Sequence, residues 1–323
     1  MTFTNYPSGI TSMGVPSIGS GVIPVTNGNY YFVCNRTGAN GSDGNDGTSA
    51  DVPLATLAAA ITKCSTDALG ADVIVILPGH AESIASATAL AFNVAGITIV
   101  GLGVGSNRPT FTFTTANTAK IVVSAANVKI SGCIFVGNFL SIATCFSLTT
   151  AAGFTVDSCA FRDTSAVLGF LSIITTTVSV NSDGLTFTNN EVQSDATTTP
   201  GPTIVVANTL DRLTVTGNTV THSTISNNVS ALVAHAALVV THLNMGSNTV
   251  YSVNTDTATG GLLLTTTATT GSGMIYNNFV AALDTAAAIL LPAIAVQYGC
   301  YQNFYAHRGN STSGYLLPAA GTD

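Results

Sequence analysis

The stretch Ile130-Ser-Gly-Cys133-Ile-Phe135 opens a series of seven similar stretches in this sequence. Each has an apolar residue, two small or polar residues, Cys or Asn, and then an apolar pair or near-pair. The Cys or Asn positions are Cys133, Cys159, Asn190, Asn218, Asn248, Asn278 and Asn303. Successive positions are 26, 31, 28, 30, 30 and 25 residues apart. A period of about 20–50 residues is typical of a repeat architecture, in which each repeat contacts only its neighbours.

The period also predicts how the repeats stack. A coil that returns after 25–31 residues lets equivalent strands lie parallel, about 4.8 Å apart. Asparagine then lies over asparagine at an inward turn, where each amide can donate to the next and form a ladder. Cysteine fills the same space without needing an amide partner. The pattern therefore predicts an all-β solenoid with a structural ladder along the Cys/Asn column.

The composition excludes several classes of partner. Hydrophobic residues make up 46% of the 323 residues, charged residues only 7%, and the net charge is −7 with 8 basic residues. This argues against a nucleic acid and against an anionic membrane surface as partner. The spacing of the six cysteines suggests neither a disulfide framework nor a zinc site.

Three regions follow from the pattern along the chain. Residues 1–28 are rich in Gly, Pro and Ser and are interpreted either as an irregular anchoring arm or as a flexible tail. Residues 29–78 contain a predicted strand at Tyr30–Val33, a loop, a capping helix and a wholly apolar strand ending at Leu77. The helix is predicted over Pro53–Ile61, with Asp51 as its N-cap. Residues 79–323 are the repeats with a carboxyl-terminal closing segment.

Targeting and membrane signals are absent from the sequence as read. The amino terminus has neither a basic nor an apolar signal region. The longest apolar run, Ala286–Val296, is too short to span a bilayer. We therefore expect synthesis in a reducing cytoplasm without secretion.

The opening third contains five distinctive motifs, which are Asn5-Tyr-Pro-Ser-Gly-Ile-Thr-Ser-Met-Gly-Val-Pro-Ser, Tyr31-Phe-Val33, Gly41-Ser-Asp-Gly-Asn-Asp-Gly47, Pro53-Leu-Ala-Thr56 and Leu77-Pro-Gly-His-Ala-Glu82. By these motifs the opening third resembles β-helix proteins of tailed bacteriophages, and the repeats resemble right-handed parallel β-helices of the pectate-lyase-like group. The resemblance implies a single-stranded right-handed parallel β-helix with a short capping helix and an amino-terminal arm. It also implies a virion component (a capsid decoration, fibre or tailspike) that forms a homotrimer.

The first functional hypothesis is a virion structural protein without enzymatic activity or cofactor, made in the host cytoplasm and decorating the capsid as a homotrimer. Its partners would be the major capsid protein or other virion subunits. The residues expected to contact them are Asn5, Tyr6, Pro7, Met13, Val15 and Pro16. The alternative is a tailspike or fibre that binds or cleaves host-surface polysaccharide. A secreted polysaccharide lyase is disfavoured because a signal peptide is absent.

The best enzymatic candidates lie at matching positions of neighbouring repeats. Asp183 and Asp211 each lie two residues before the leading strand residue of their coil. Arg212 and His242 share the next position on successive coils, so these four side chains are expected to converge. Two interpretations stay open, because Asp also commonly caps turns. Asp43 and Asp46 are a weak calcium candidate, in a loop that lacks the bidentate Glu of an EF-hand.

The remaining polar and aromatic residues receive structural interpretations. His80 and Glu82 follow a Pro-Gly turn; they are interpreted as a functional pair or, in preference, as part of that turn. His222 and His307 follow their Asn by four residues, as Asp163 follows Cys159, and are expected at the surface. The chain has no Trp and is expected to lack the aromatic platforms of a sugar-binding groove. The aromatics after residue 297 are interpreted either as a partner interface or as the core of the last coils.

Overall fold

The computed structural model describes residues 11–12, 15–16, 23–64, 71–178, 181–195, 201–222, 231–235, 240–252, 262–265, 271–282, 290–291, 297–307 and 315–317. Within these residues, strands of three sheets follow one another in turn, and each strand pairs in parallel with its equivalent in the next coil. The predicted fold, a right-handed parallel β-helix, is confirmed.

The strands divide among three long sheets. Sheet 1 contains Tyr30–Val33, Val73–Ile76, Thr98–Gly101, Lys129–Ser131, Thr155–Asp157, Thr186–Thr188, Thr214–Thr216, Leu243–Gly246, Ser272–Tyr276 and Gln297–Tyr301. Sheet 2 contains Ala81–Ile84, Thr110–Phe113, Ile134–Gly137, Ala160–Asp163, Glu191–Ser194, Thr219–His222, Thr249–Ser252, Phe279–Ala282, Asn303–His307 and Tyr315–Leu317. Sheet 3 contains Leu90–Phe92, Ile121–Val123, Phe146–Leu148, Ile174–Thr176, Ile204–Val206, Val233–His235, Leu263–Thr265 and Leu290–Leu291.

The other elements are short. Leu210–Asp211 pairs in parallel with Val240–Thr241, just before two strands of sheet 1. Thr11–Ser12 pairs antiparallel with Val15–Pro16, and Tyr315–Leu317 joins sheet 2 antiparallel. Gly105–Asn107 is a 3₁₀ turn.

The capping helix spans Leu57–Lys63 and begins four residues later than the sequence predicts. The prediction of Asp51 as N-cap is wrong, because Thr56 holds that position and its Oγ1 accepts from the Ala59 N–H at 3.2 Å. The reason lies in Leu54, which bonds to the backbone of the first strand instead of joining the helix. The buried face of the helix (Leu57, Ala60 and Ile61) covers the first coil, as a solenoid cap must.

The second strand of sheet 1, Val73–Ile76, is buried on both faces. All four residues of Val73–Ile76 are buried, so the prediction from their unbroken apolar run is confirmed. Ile74 and Ile76 face the interior, whereas Val73 and Val75 pack outward against a second cluster that includes Ile23 and Cys34.

The asparagine column lies at the turn between sheets 1 and 2 and forms a continuous amide ladder. From Asn190 to Asn303, each Oδ1 accepts from the residue one coil earlier, and the four amide-to-amide bonds measure 2.8–3.2 Å. The backbone N–H of that earlier residue donates to the same oxygen at 2.9–3.1 Å. Each Nδ2 also donates to a backbone carbonyl at 2.8–3.1 Å. The ladder thus satisfies polar groups in a column that is buried throughout.

Cysteine replaces asparagine in two coils, and an arginine accompanies the change. Cys133 and Cys159 are buried free thiols, and burial raises the pKa of Cys159 to about 12, so it stays protonated. Arg108 donates to the carbonyls of Gly132, Cys133 and Ser158 at 3.1, 3.0 and 2.6 Å. Its guanidinium therefore ties together the turns of the two coils that lack an amide.

Candidate functional site

The four candidate residues Asp183, Asp211, Arg212 and His242 lie together at the turn that leads into sheet 1. Asp183 Oδ1 accepts from the backbone N–H of Asp211 at 2.8 Å, one coil further on. His242 Nδ1 lies 2.6 Å from Asp211 Oδ1, and Arg212 Nη1 lies 3.4 Å from Asp211 Oδ2. The expected convergence is therefore observed, with Asp211 at its centre. The Asp183 carboxylate contacts the backbone of Asp211 and not the Asp211 carboxylate.

The backbone at this turn is left-handed, and the residues that occupy it change along the solenoid. In the earlier coils the position holds Gly96, Asn127, Gly153 and Gly184, with φ of 75°, 57°, 72° and 77°. The next two coils hold Arg212 and His242, with φ of 58° and 51°. A left-handed conformation costs about 1–2 kcal/mol for a residue with a Cβ, and Gly or Asn is the usual occupant. Two large polar side chains are therefore placed where a glycine would be less strained.

The Asp211 carboxylate orients its neighbours. Its Oδ1 accepts from Thr241 Oγ1 at 2.7 Å as well as from His242. The hydrogen bond from His242 and then that from Thr241 lower the pKa of the Asp211 carboxyl, so it is ionised at neutral pH. Because a carboxylate only accepts, His242 Nδ1 must carry the proton, which leaves Nε2 of the neutral ring as a base.

The side chains are open to solvent and to a ligand. The His242 side chain is 73% exposed and that of Arg212 is 67% exposed. A base held by a carboxylate can remove a proton from a bound substrate, and a guanidinium can bind a substrate carboxylate through two parallel hydrogen bonds. The arrangement fits proton abstraction next to an acid group better than hydrolysis by two free carboxylates.

The motif residues His80 and Glu82 belong to a structural network at the cap. His80 Nδ1 accepts from the Asn35 N–H at 3.2 Å, so Nε2 donates to Glu82 Oε2 at 3.2 Å. The same carboxylate oxygen accepts from the N–H of Leu57, the first helical residue, at 2.9 Å. Asn35 in turn accepts from the Ala81 N–H at 2.9 Å. These contacts join the opening strand, the helix and the first strand of sheet 2.

Asp43 and Asp46 also make contacts within the cap. Asp43 Oδ1 accepts from the N–H groups of Ala55 and Thr56 at 2.9 Å, and its Oδ2 accepts from Thr56 Oγ1 at 3.0 Å. Asp46 accepts from the Thr48 N–H at 3.0 Å, and this bond is the main cause that lowers the pKa of its carboxyl. Across the described part of the chain, no three His, Cys, Asp or Glu side chains are grouped closely enough to hold a metal ion.

The predicted partner-binding residues are only partly within the described chain. Asn5, Tyr6, Pro7 and Met13 lie outside it. Val15 and Pro16 form one strand of the short antiparallel pair.

The expectation that His222 is a surface residue is wrong. It ends a strand of sheet 2 and is only 4% exposed, and burial lowers its pKa to about 4. Its neighbour in register on the preceding coil is Ser194, whose Oγ donates to Asp163 at 3.0 Å. Neither ring nitrogen of His222 has a hydrogen-bond partner among the described residues. The sequence predicted the position of His222 in the repeat, four residues after Asn218, but did not predict that its side chain is buried. The side chain of His307 lies outside the described residues.

Comparisons with known proteins add one finding on the fold. No family model and no curated protein sequence matches the chain. A solved structure of a rhamnogalacturonan lyase is similar over 85% of this chain and 87% of its own, at 12% identity and a TM-score of 0.34. The expectation that the chain is not an enzyme is contradicted by this neighbour, which is named as an enzyme, and we withdraw that expectation. A likeness of this size assigns no activity to the chain.

No helix in the described residues is long and apolar enough to cross a membrane.

Proposed function

We propose that the protein is a structural component of a tailed-phage virion, a homotrimer that decorates the capsid and attaches through residues 1–28. The observation that carries this proposal is the cap. The motifs that resemble phage β-helix proteins, from Gly41–Gly47 to Leu77–Glu82, meet there in one hydrogen-bonded network. A rod held at one end needs that end to resist fraying, and this network ties the helix to sheets 1 and 2.

The attachment is tested by a deletion whose boundary the structure sets. Ile23 is 1% exposed and packs in the outer cluster of sheet 1, so the deletion should remove residues 1–22 and leave Ile23 in place. The shortened protein should keep its β-rich circular dichroism and fail to join particles that lack the wild-type protein. Val104→Ala is the matched control, because Val104 is 82% exposed and lies outside residues 1–28. Full incorporation of the shortened protein would refute the attachment.

A second candidate function is favoured by the turn that leads into sheet 1. There Asp211 holds His242 at 2.6 Å, and both His242 and Arg212 take a backbone conformation that earlier coils give to Gly or Asn. We propose that this site binds or cleaves a polysaccharide of the host surface. His242 Nε2 is the base, Asp211 orients it, and Arg212 pairs with an acid group of the substrate.

The second function is tested on capsular polysaccharide from the host. Asp211→Asn should lower the cleavage rate at least a hundredfold, because the amide no longer fixes the ring with Nε2 free. Asp157→Asn is the control, since Asp157 lies on the same sheet and pairs with Lys129 at 3.7 Å. Equal cleavage by the Asp211→Asn variant and the wild type would contradict the assignment.

A further inference from the structure

The outer face of sheet 1 changes character in its last strands. Two columns carry Thr186 and Thr188, then Thr214 and Thr216 on the next coil. Further along, the same columns carry Met274, Tyr276 and Tyr301. Met274 is 46% exposed and Tyr301 is 45% exposed. We call Met274, Tyr276 and Tyr301 the tyrosine strip.

The side chains of the tyrosine strip hold one another in place. The rings of Tyr276 and Tyr301 stack, with centroids 5.9 Å apart and planes 20° apart. Tyr276 reaches over Gly246 on the preceding coil, where a Cβ would lie 2.4 Å from Cζ of the ring. Tyr301 Oη donates to Met274 Sδ at 3.0 Å. The strip is therefore ordered before any ligand arrives, which lowers the entropic cost of binding.

The strip lies beside the site at Asp211 and His242. Leu243 pairs in register with Gly273, and the His242 N–H donates to Ser272 Oγ at 3.3 Å. Met274 is two residues further along that strand, so its Cα lies about 8 Å from the Cα of His242. Asn244 is the register partner of Met274, and its Oδ1 is shielded from solvent without a hydrogen-bond partner among the described residues.

In place of the expectation, drawn from the absence of Trp, that the chain lacks aromatic platforms, we propose that the tyrosine strip is a stacking platform for a glycan chain that extends from the strip towards His242. This inference deepens the polysaccharide function proposed above and rests on it. Pyranose rings present C–H faces that pack on aromatic rings, while their hydroxyls reach polar groups such as those of Tyr301 and Arg212.

The size and polarity of the surface favour a glycan over a second protein chain. A stable protein interface buries about 800 Å² on each partner, usually around an apolar centre. The strip has three large side chains, and threonines and the charged turn border it on the same face. A ligand of a few sugar rings matches that width, whereas a second copy of the chain would need more apolar area.

Affinity electrophoresis in gels that contain a polysaccharide tests the platform. The probes are dextran, mannan, alginate, polygalacturonate and capsular polysaccharide from the host. At least one should retard the wild-type protein, and the double variant Tyr276→Ala/Tyr301→Ala should bind that probe at least tenfold more weakly. Tyr301→Phe keeps the ring and should bind within threefold of the wild type.

Phe304→Ala provides the matched control. Phe304 is 46% exposed, close to the value for Tyr301, but lies in sheet 2 on the other side of the turn. Its variant should bind the probe as the wild type does. The platform is overturned if no probe retards the wild type, or if Phe304→Ala weakens binding as much as the double variant. It is also overturned if the double variant instead loses an oligomer in size-exclusion chromatography.

The same gels separate this inference from the function on which it rests. Asp211→Asn should still be retarded, because it leaves the strip intact. If the wild type is retarded but does not cleave the probe, the catalytic proposal is rejected and the platform is kept. If the double variant still cleaves the probe at the wild-type rate, the platform is rejected and the catalytic proposal is kept.

Discussion

Two columns of polar side chains run through the described β-helix, and they differ in how their hydrogen bonds are completed. In the amide column, Asn190 to Asn303, each side chain both donates and accepts, so stacking one residue type on itself satisfies every rung. The second, mixed column contains Asp163, Ser194 and His222 at the ends of successive strands of sheet 2. There the Ser194 hydroxyl donates to Asp163, and the ring nitrogens of buried His222 have no hydrogen-bond partner among the described residues. Repeating one residue that both donates and accepts therefore leaves fewer buried polar groups without a hydrogen bond than a column of different residues does.

The largest effect is expected from breaking the amide column in its middle. Asn218→Ala removes four hydrogen bonds, two accepted from Asn190 and two donated by Nδ2. At about 1 kcal/mol each, the free energy of unfolding should fall by about 4 kcal/mol in urea denaturation. The exposed neighbour Thr219→Ala should change it by less than about 0.5 kcal/mol. Equal losses in the two variants would show that the ladder adds nothing.

Buried His222, in the mixed column, should make the free energy of unfolding depend on pH. The pKa of folded His222 is about 4, below the ordinary value of 6.5, so between these values only the unfolded chain takes up the proton. The free energy of unfolding is therefore highest above pH 6.5. It should fall by about 3 kcal/mol in all, through His222 alone, as the pH falls towards 4.

Urea denaturation between pH 8 and pH 4.5 measures this loss. His222→Leu should be less sensitive to pH than the wild type over the same range, because the buried titrating group is gone. An unchanged pH dependence in the variant would show that His222 is protonated equally in both states.

The two columns also show what the sequence could predict. The period gave the register of both columns, because a parallel solenoid stacks equivalent positions whatever the loops do. It could not show that His222 is covered, since burial of that side chain depends on the packing around the strand end. The predicted helix start was wrong because Leu54 forms backbone hydrogen bonds with the first strand. Helix propensity depends only on the local sequence and cannot predict such a contact.

Only part of the candidate site could be predicted from the sequence. The convergence of Asp183, Asp211, Arg212 and His242 followed from counting along the repeats. The tyrosine strip did not, because it depends on three coils at once, including the space that Gly246 leaves for Tyr276. Gly246, the last residue of its strand, was the available signal, since a glycine in a strand often marks a close approach by another group.

A smaller effect is expected where the amide column gives way to cysteine. Arg108→Lys should lower the free energy of unfolding by about 2 kcal/mol, because one ammonium cannot reproduce the fork that reaches three carbonyls. Arg162→Lys is the control. Arg162 is 47% exposed and lies 3.8 Å from Glu191, so its variant should lose less than about 0.5 kcal/mol in urea denaturation. A tolerated Arg108→Lys would mean that the two cysteine coils need no outside donor.

The smallest effect is a gain, obtained by extending the amide column one coil towards the amino terminus. In Cys159→Asn the new Nδ2 can donate to Asn190 Oδ1 and to Ile130 O, which lies 4.0 Å from the present thiol. The new Oδ1 can accept from the Cys133 N–H, so the free energy of unfolding should rise by about 1 kcal/mol in urea denaturation. Cys159→Ser, which lacks the amide, is the control and should not exceed the wild type. A less stable Cys159→Asn would show that the column ends at Asn190 because the space ends there.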